Sequence, residues 1–159
     1  MIDVPREELV EKLTTALGVR RWVDAVAGNA PFDDLQQLLL VAYTEATPLS
    51  AGEIAEAMAH HPRIGEKPTG QSASAAMSRS EQGDATELAE ELAAGNAAYE
   101  ARFGRIFIIR AAGRSRAEML AELHRRLELD DAADLAIVGE QLRDIALLRL
   151  QRLFGEDTP

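Results

Sequence analysis

Apolar residues recur at three- and four-residue spacing along most of the chain, and that spacing predicts helix. Leu9, Val10, Leu13 and Leu17 line one face of a first helix from Pro5 to about Leu17; proline suits a first turn, and Gly18 follows the end. Trp22, Val23 and Val26 mark a short second helix, broken by Gly28-Asn29-Ala30-Pro31. A third begins near Asp33, buries Leu35, Leu38, Leu39, Ala42 and Tyr43, and closes at Pro48. Ser50-Ala51-Gly52-Glu53 has the spacing of a capping box and opens a fourth helix, which carries Ile54, Ala57 and Met58 towards His60.

The periodicity then stops. Between His61 and Met77 there is no helical repeat, but there are Pro62, Gly65, Pro68, Thr69, Gly70 and several small residues. Structureless connections of this length are uncommon in compact domains and often carry function. Ser78-Arg79-Ser80-Glu81 reopens helix with capping-box spacing, running through Leu88, Leu92 and Ala98 to about Arg102, where Gly104 ends it. The run from Phe103 to Arg110 is the only strand-like stretch; with no sheet to join, it reads as buried extended chain or an irregular helix start. Ser115-Arg116-Ala117-Glu118 caps a further helix to about Leu129. Another starts near Asp131, with Leu135, Val138, Leu142, Ile145, Leu148 and Leu153 facing the core. Seven or eight helices and no credible sheet predict an all-α bundle, one domain over residues 1–159 with one long functional loop.

Composition narrows the function. The formal net charge is -10, from 17 basic and 27 acidic residues. Such a field repels phosphate backbones and anionic lipid, which argues against nucleic-acid or membrane partners and leaves local arginines to attract any anionic substrate. There are no cysteines, so thiolate chemistry, disulfides and cysteine-held metals are excluded. No apolar run reaches the length of a membrane span, and the acidic N-terminus lacks a signal-peptide pattern, which together read as a cytoplasmic protein. The three histidines show no metal-ligand spacing, so no metal is expected; His124, among charged residues, reads as solvated.

Three places remain for chemistry. His61 precedes Pro62, which disfavours helix at the residue before it, so His61 leaves the helix at the mouth of the long loop. There it is either a proton carrier titrating near neutrality or a histidine capping a helix C-terminus. Ser78 with Glu81 and Gln82 is by local sequence a structural cap, yet it ends the long loop, and free N–H groups in a first turn suit a polar or anionic ligand. Arg149 sits inside the apolar run Leu147-Leu148-Arg149-Leu150, where it either reaches along the surface to water or points inward to an anionic partner. Arg110 has the same two readings.

In order and spacing these pieces resemble one family, the OHCU decarboxylases, which act on 2-oxo-4-hydroxy-4-carboxy-5-ureidoimidazoline in urate breakdown. The resemblance rests on Arg21-Trp22-Val23 with Pro31-Phe32, on His61-Pro62-Arg63-Ile64-Gly65, and on Ser78 with Glu81-Gln82. It continues through Tyr99 to Gly104 with Phe107-Ile108-Ile109, and through Leu148-Arg149-Leu150. It implies an all-helical homodimer without cofactor that releases CO2 and forms (S)-allantoin. It implies that His61 is the catalytic acid/base, with Glu81 and Arg149 as functional partners. Pro62, Ser78, Arg79, Ser80, Glu81, Gln82 and the chain Phe107, Ile108, Ile109, Arg110, Ala111 would line the substrate pocket. Two departures stand out: Arg105-Ile106 replaces the family's Phe-Pro before Phe107, and Ala112 stands where the family often has a base. Two other readings remain from the residues alone, a non-catalytic helical interaction module and an enzyme of the same fold acting on a related ureide acid.

Overall fold

The computed structural model describes residues 1–59, 88–111 and 113–155. Among these, the helical spacing is realised as seven α-helices: α1 (Arg6–Ala16), α2 (Arg20–Ala27), α3 (Leu35–Glu45), α4 (Ala51–Met58), α5 (Ala89–Phe103), α6 (Arg116–Leu127) and α7 (Asp131–Gly155). No strand forms among the described residues; Ile2 and Phe32 make a single antiparallel bridge, with N···O distances of 2.8 and 3.0 Å.

Local chemistry sets most helix ends. Asp34 caps α3, its side chain accepting from the Gln37 N–H. Complete capping boxes open α4 (Ser50 and Glu53) and α6 (Ser115 and Glu118). Gly104, at φ +73°, closes α5 and returns its N–H to the Glu100 carbonyl at 2.8 Å. One boundary departs from the sequence pattern. Leu88 has φ 56°, a left-handed conformation that α-helix cannot pass through, so α5 begins at Ala89. The Leu88 side chain packs against the cluster around Leu92 and Tyr99, which offsets the steric cost of that turn.

Two apolar clusters result. The larger joins α1, α2, α3, α4 and α7, with Leu13, Val19, Trp22, Leu38, Val138, Leu142 and Leu150 fully enclosed. The buried indole N–H of Trp22 donates to the Ala42 carbonyl at 3.0 Å. Arg21 ties α2 to its neighbours: it bonds Glu53 on α4 and donates to the Glu45 carbonyl at 2.6 Å at the end of α3. The smaller cluster gathers Leu92, Tyr99, Phe107, Ile109, Ala111, Met119 and Leu123 from α5, α6 and the chain between them.

Some positions differ from the periodic pattern. Tyr43 lies on the exposed side of α3, 42% accessible, where the Arg143 guanidinium stacks 4.5 Å from its ring centre; an amphipathic phenol gains little from full burial when a cation can cover one face. Leu35 and Leu39 are half-buried. On α7 the buried stripe is Asp134, Val138, Leu142, Ile145, Ala146, Arg149, Leu150 and Phe154, so Leu148 is displaced to its flank and two charged residues take core positions. No described helix is long and apolar enough to cross a membrane.

Gly104 offers a clean test of the α5 terminus. A Cβ there would meet nothing within 4 Å, so Gly104→Ala introduces backbone strain alone. The variant should lose about 1 kcal/mol of stability in urea unfolding.

Candidate functional site

The chain from 105 to 111 returns from the end of α5 towards the start of α6. An extended stretch cannot satisfy its own backbone groups, so neighbouring elements must. The Ile108 carbonyl accepts from Arg126 on α6 at 2.6 Å, and the Arg110 N–H donates to the Gln141 side chain on α7 at 2.9 Å. The Ala111 carbonyl accepts from the Arg114 N–H at 3.1 Å in the turn that follows. Phe107, Ile108, Ile109 and Ala111 are buried and Arg110 is half-buried. The strand-like stretch is therefore buried extended chain.

Asp134, with no exposed side-chain surface, organises this return. One carboxylate oxygen accepts from Arg126 Nε at 2.7 Å; the other accepts from Arg105 at 2.7 Å and from the Tyr99 hydroxyl. Arg126 also donates to the Tyr99 oxygen at 3.2 Å, and its guanidinium lies 4.9 Å from the Phe107 ring centre. Burial, reinforced by the bond to Asp134, pushes the Tyr99 phenol up to about 12. Burial works against the Arg105 cation, but its bonds to Asp134, Tyr99 and Asp131 outweigh that cost and hold its pKa above the ordinary value. One carboxylate thus fixes four parts of the fold: α5 through Tyr99, the return segment through Arg105, α6 through Arg126, and α7, which carries it.

Arg149, 1% accessible, does not reach along the surface to water; it points inward, with NH1 3.4 Å from the Thr15 carbonyl of α1. It follows Gln141 by two turns of α7, about 12 Å along the axis. Arg116, at the first turn of α6, is also buried, at 3% accessible. His124 is exposed, as its charged neighbours predict. An open pocket of about 510 Å³ lies along one face of α4 and the following Ala59 and is bordered by Arg105, Ile106 and Leu135. Its wall includes both residues that depart from the family's Phe-Pro, and it ends at Ala59, two residues before His61 in sequence. Among the described residues no cluster of His, Asp and Glu could hold a metal ion.

Of the residues singled out by sequence, the structure joins 107–111 to α7 and buries Arg149 on that same helix. His61, Pro62, Ser78, Arg79, Ser80, Glu81 and Gln82 lie outside the described residues. Sequence reasoning missed Asp134, Arg126 and Tyr99 as a unit. A signal was there: Asp134 precedes Val138, Leu142 and Ile145 in helical register, and Arg126 follows Met119 and Leu123 in the same way. A charged residue in step with an apolar stripe is a candidate for a buried pair.

A family model described as OHCU decarboxylase matches residues 3–151. A curated relative from Arabidopsis thaliana, the uric acid degradation bifunctional protein TTL, is 37% identical over 108 residues, covering 64% of this chain and 33% of that protein. The chain therefore spans about a third of the length of that relative. A crystal structure of OHCU decarboxylase in the presence of (S)-allantoin superposes with a TM-score of 0.76 at 28% identity, covering 91% of this chain and 98% of the other. An (S)-allantoin synthase shares the fold with a TM-score of 0.67 at 19% identity, over 94% of this chain and 50% of that one.

Two outcomes test the Asp134 cluster. Asp134→Asn leaves the Arg126 cation buried without a counter-charge and should lower stability by about 3–5 kcal/mol in urea unfolding. The Tyr99 phenol is raised from 10.0 to about 12 on folding, so the folded state keeps a proton that the unfolded chain releases. Its contribution is complete below pH 10 and is lost as pH rises towards 12. Urea midpoints measured over that range should fall more steeply for the parent than for Tyr99→Phe.

Proposed function

Because the chain belongs to the OHCU decarboxylase family, we propose that it decarboxylates 2-oxo-4-hydroxy-4-carboxy-5-ureidoimidazoline to (S)-allantoin and CO2 in urate degradation. The observation that carries this reading is the end-to-end match: a family model over residues 3–151 and a fold that covers 98% of a decarboxylase crystallised with allantoin.

The chemistry suits the residues. The substrate carries a carboxylate and a hydroxyl on one ring carbon, beside a carbon–nitrogen double bond. When the carbon–carboxylate bond breaks, its electron pair forms a double bond to the neighbouring ring carbon, and the former imine nitrogen takes up the displaced pair and a proton. The hydroxyl proton then leaves, the neighbouring carbon is protonated on one face, and a ketone remains. One proton is consumed overall. The ring itself is the electron sink, so the reaction requires no separate one.

In this reading His61 carries the hydroxyl and carboxylate protons, the acid–base work to which an imidazole is suited. Glu81 and Gln82 hold the ureido nitrogens and oxygens. The inward-pointing Arg149 orients an anionic or carbonyl group through paired hydrogen bonds, and Pro62, Ser78, Arg79, Ser80 and 107–111 complete the pocket. A homodimer in the cytoplasm, working without a cofactor, belongs to the same proposal.

The test is decarboxylation of freshly generated substrate, followed through the amount and handedness of allantoin. His61→Ala and His61→Asn should retain the helical fold and lose about 10²–10⁴-fold in rate, towards the spontaneous background. A nearly normal rate in a folded variant would remove His61 from the reaction. A parent protein without activity on this substrate would leave the related ureide acids to be assayed next.

A further inference from the structure

A buried arginine cannot discharge itself by losing its proton, so it needs an anion. At one end of the buried face of α6, Arg126 has that anion in Asp134. At the other end, ten residues and about 15 Å away, Arg116 is 3% accessible, and among the described residues none accepts a hydrogen bond from any of its three guanidinium nitrogens. The Nε atoms of Arg110 and Arg114 are likewise buried without a partner. Three cations within seven residues therefore gather, in a chain of net charge -10, where the return segment meets α6.

Helix register adds to this positive charge. Tyr99 lies beside Arg126, and the Cα of Gly95 points at Leu123, so close that a Cβ would come within 2.9 Å of the leucine. Both pairings give α5 and α6 the same direction, with an offset of roughly 28 residues that puts Arg116 level with Leu88. The N-terminal ends of α5 and α6 thus lie side by side, their dipoles adding. Among the described residues, the neighbouring carboxylates do not neutralise this end. Glu90, Glu91 and Glu118 are exposed, Glu118 closes the capping box, and Glu122, which senses Arg114, accepts from Arg125 through both oxygens.

We propose that Arg116, at the paired N-termini of α5 and α6, is an anion subsite that captures the carboxylate of the substrate. The assignment of a carboxylate substrate rests on the decarboxylase reading; the anion site itself does not. The carboxylate charge departs with CO2, so an arginine bound to it holds the substrate more tightly than the transition state. Its effect falls on KM, and the neutral product, allantoin, has nothing to offer it. The site admits a charged reactant and releases an uncharged product.

Two measurements on the full chain test this, using Arg116→Gln and Arg116→Lys. In the decarboxylation assay, Arg116→Gln should raise KM about tenfold or more without lowering kcat, with inhibition by allantoin unchanged; Arg116→Lys should recover part of the loss. In thermal unfolding without substrate, oxalate should raise the Tm of the parent saturably and leave Arg116→Gln unmoved. If the parent fails to decarboxylate, the functional reading fails while the oxalate response still decides the site. An unchanged KM together with an equal oxalate response in parent and variant overturns the proposal. So does an Arg116→Gln that melts early without anion and keeps its KM, since that is the behaviour of a packing residue.

Discussion

A single carboxylate with no access to water governs how the second half of this chain is arranged. Asp134 holds Arg126, Arg105 and Tyr99 at once, and through Arg126 it reaches the Ile108 carbonyl. Burying one charge is costly, and burying it among two guanidinium groups and a phenol is tolerable only while both carboxylate oxygens keep those partners. That condition leaves one arrangement of α5, the return segment, α6 and α7. The return segment inherits it: Phe107, Ile109 and Ala111 turn into the smaller apolar cluster while their backbone is fixed from outside.

What the sequence made legible was the periodic and the local. The faces of α1 and α2, the capping boxes at Ser50 and Ser115 and the glycine stop at Gly104 follow from spacing and turn chemistry, whereas the run after Gly104 allows either extended chain or an irregular helix start until its bonds to Arg126 and Gln141 are seen. Leu88 was not legible, because a leucine in a left-handed turn is justified only by the cluster its side chain joins. Periodicity weighs Tyr43 like leucine and places it in the core, whereas its ring is covered by Arg143 at the surface.

The candidate site divides in the same way. Arg149 was visible as an arginine in an apolar run, but only three dimensions decide between an inward and an outward course. Arg116 was hidden inside a good capping sequence, where first-turn residues are usually exposed. Its burial depends on packing from other parts of the chain, which no local pattern encodes. The Asp134 cluster joins residues 8 to 35 positions apart, and sequence shows them merely as charges out of place.

α7 walls the larger apolar cluster and is bound to the smaller one through the Asp134 side chain, and its contacts differ greatly in chain separation. Asp134 finds Arg126 across 8 residues, whereas Lys12 on α1 reaches the Leu153 carbonyl across 141. Closing a loop costs entropy that grows with its length, so the two ends of α7 enter the fold on different terms. The half built on Asp134 draws on nearby contacts. The half built on Phe154 and Leu150 packs against α1, which lies more than a hundred residues earlier in the chain. During synthesis α1 therefore meets α2 within a few residues, while its contacts with α7 wait until the chain has been extended past residue 154.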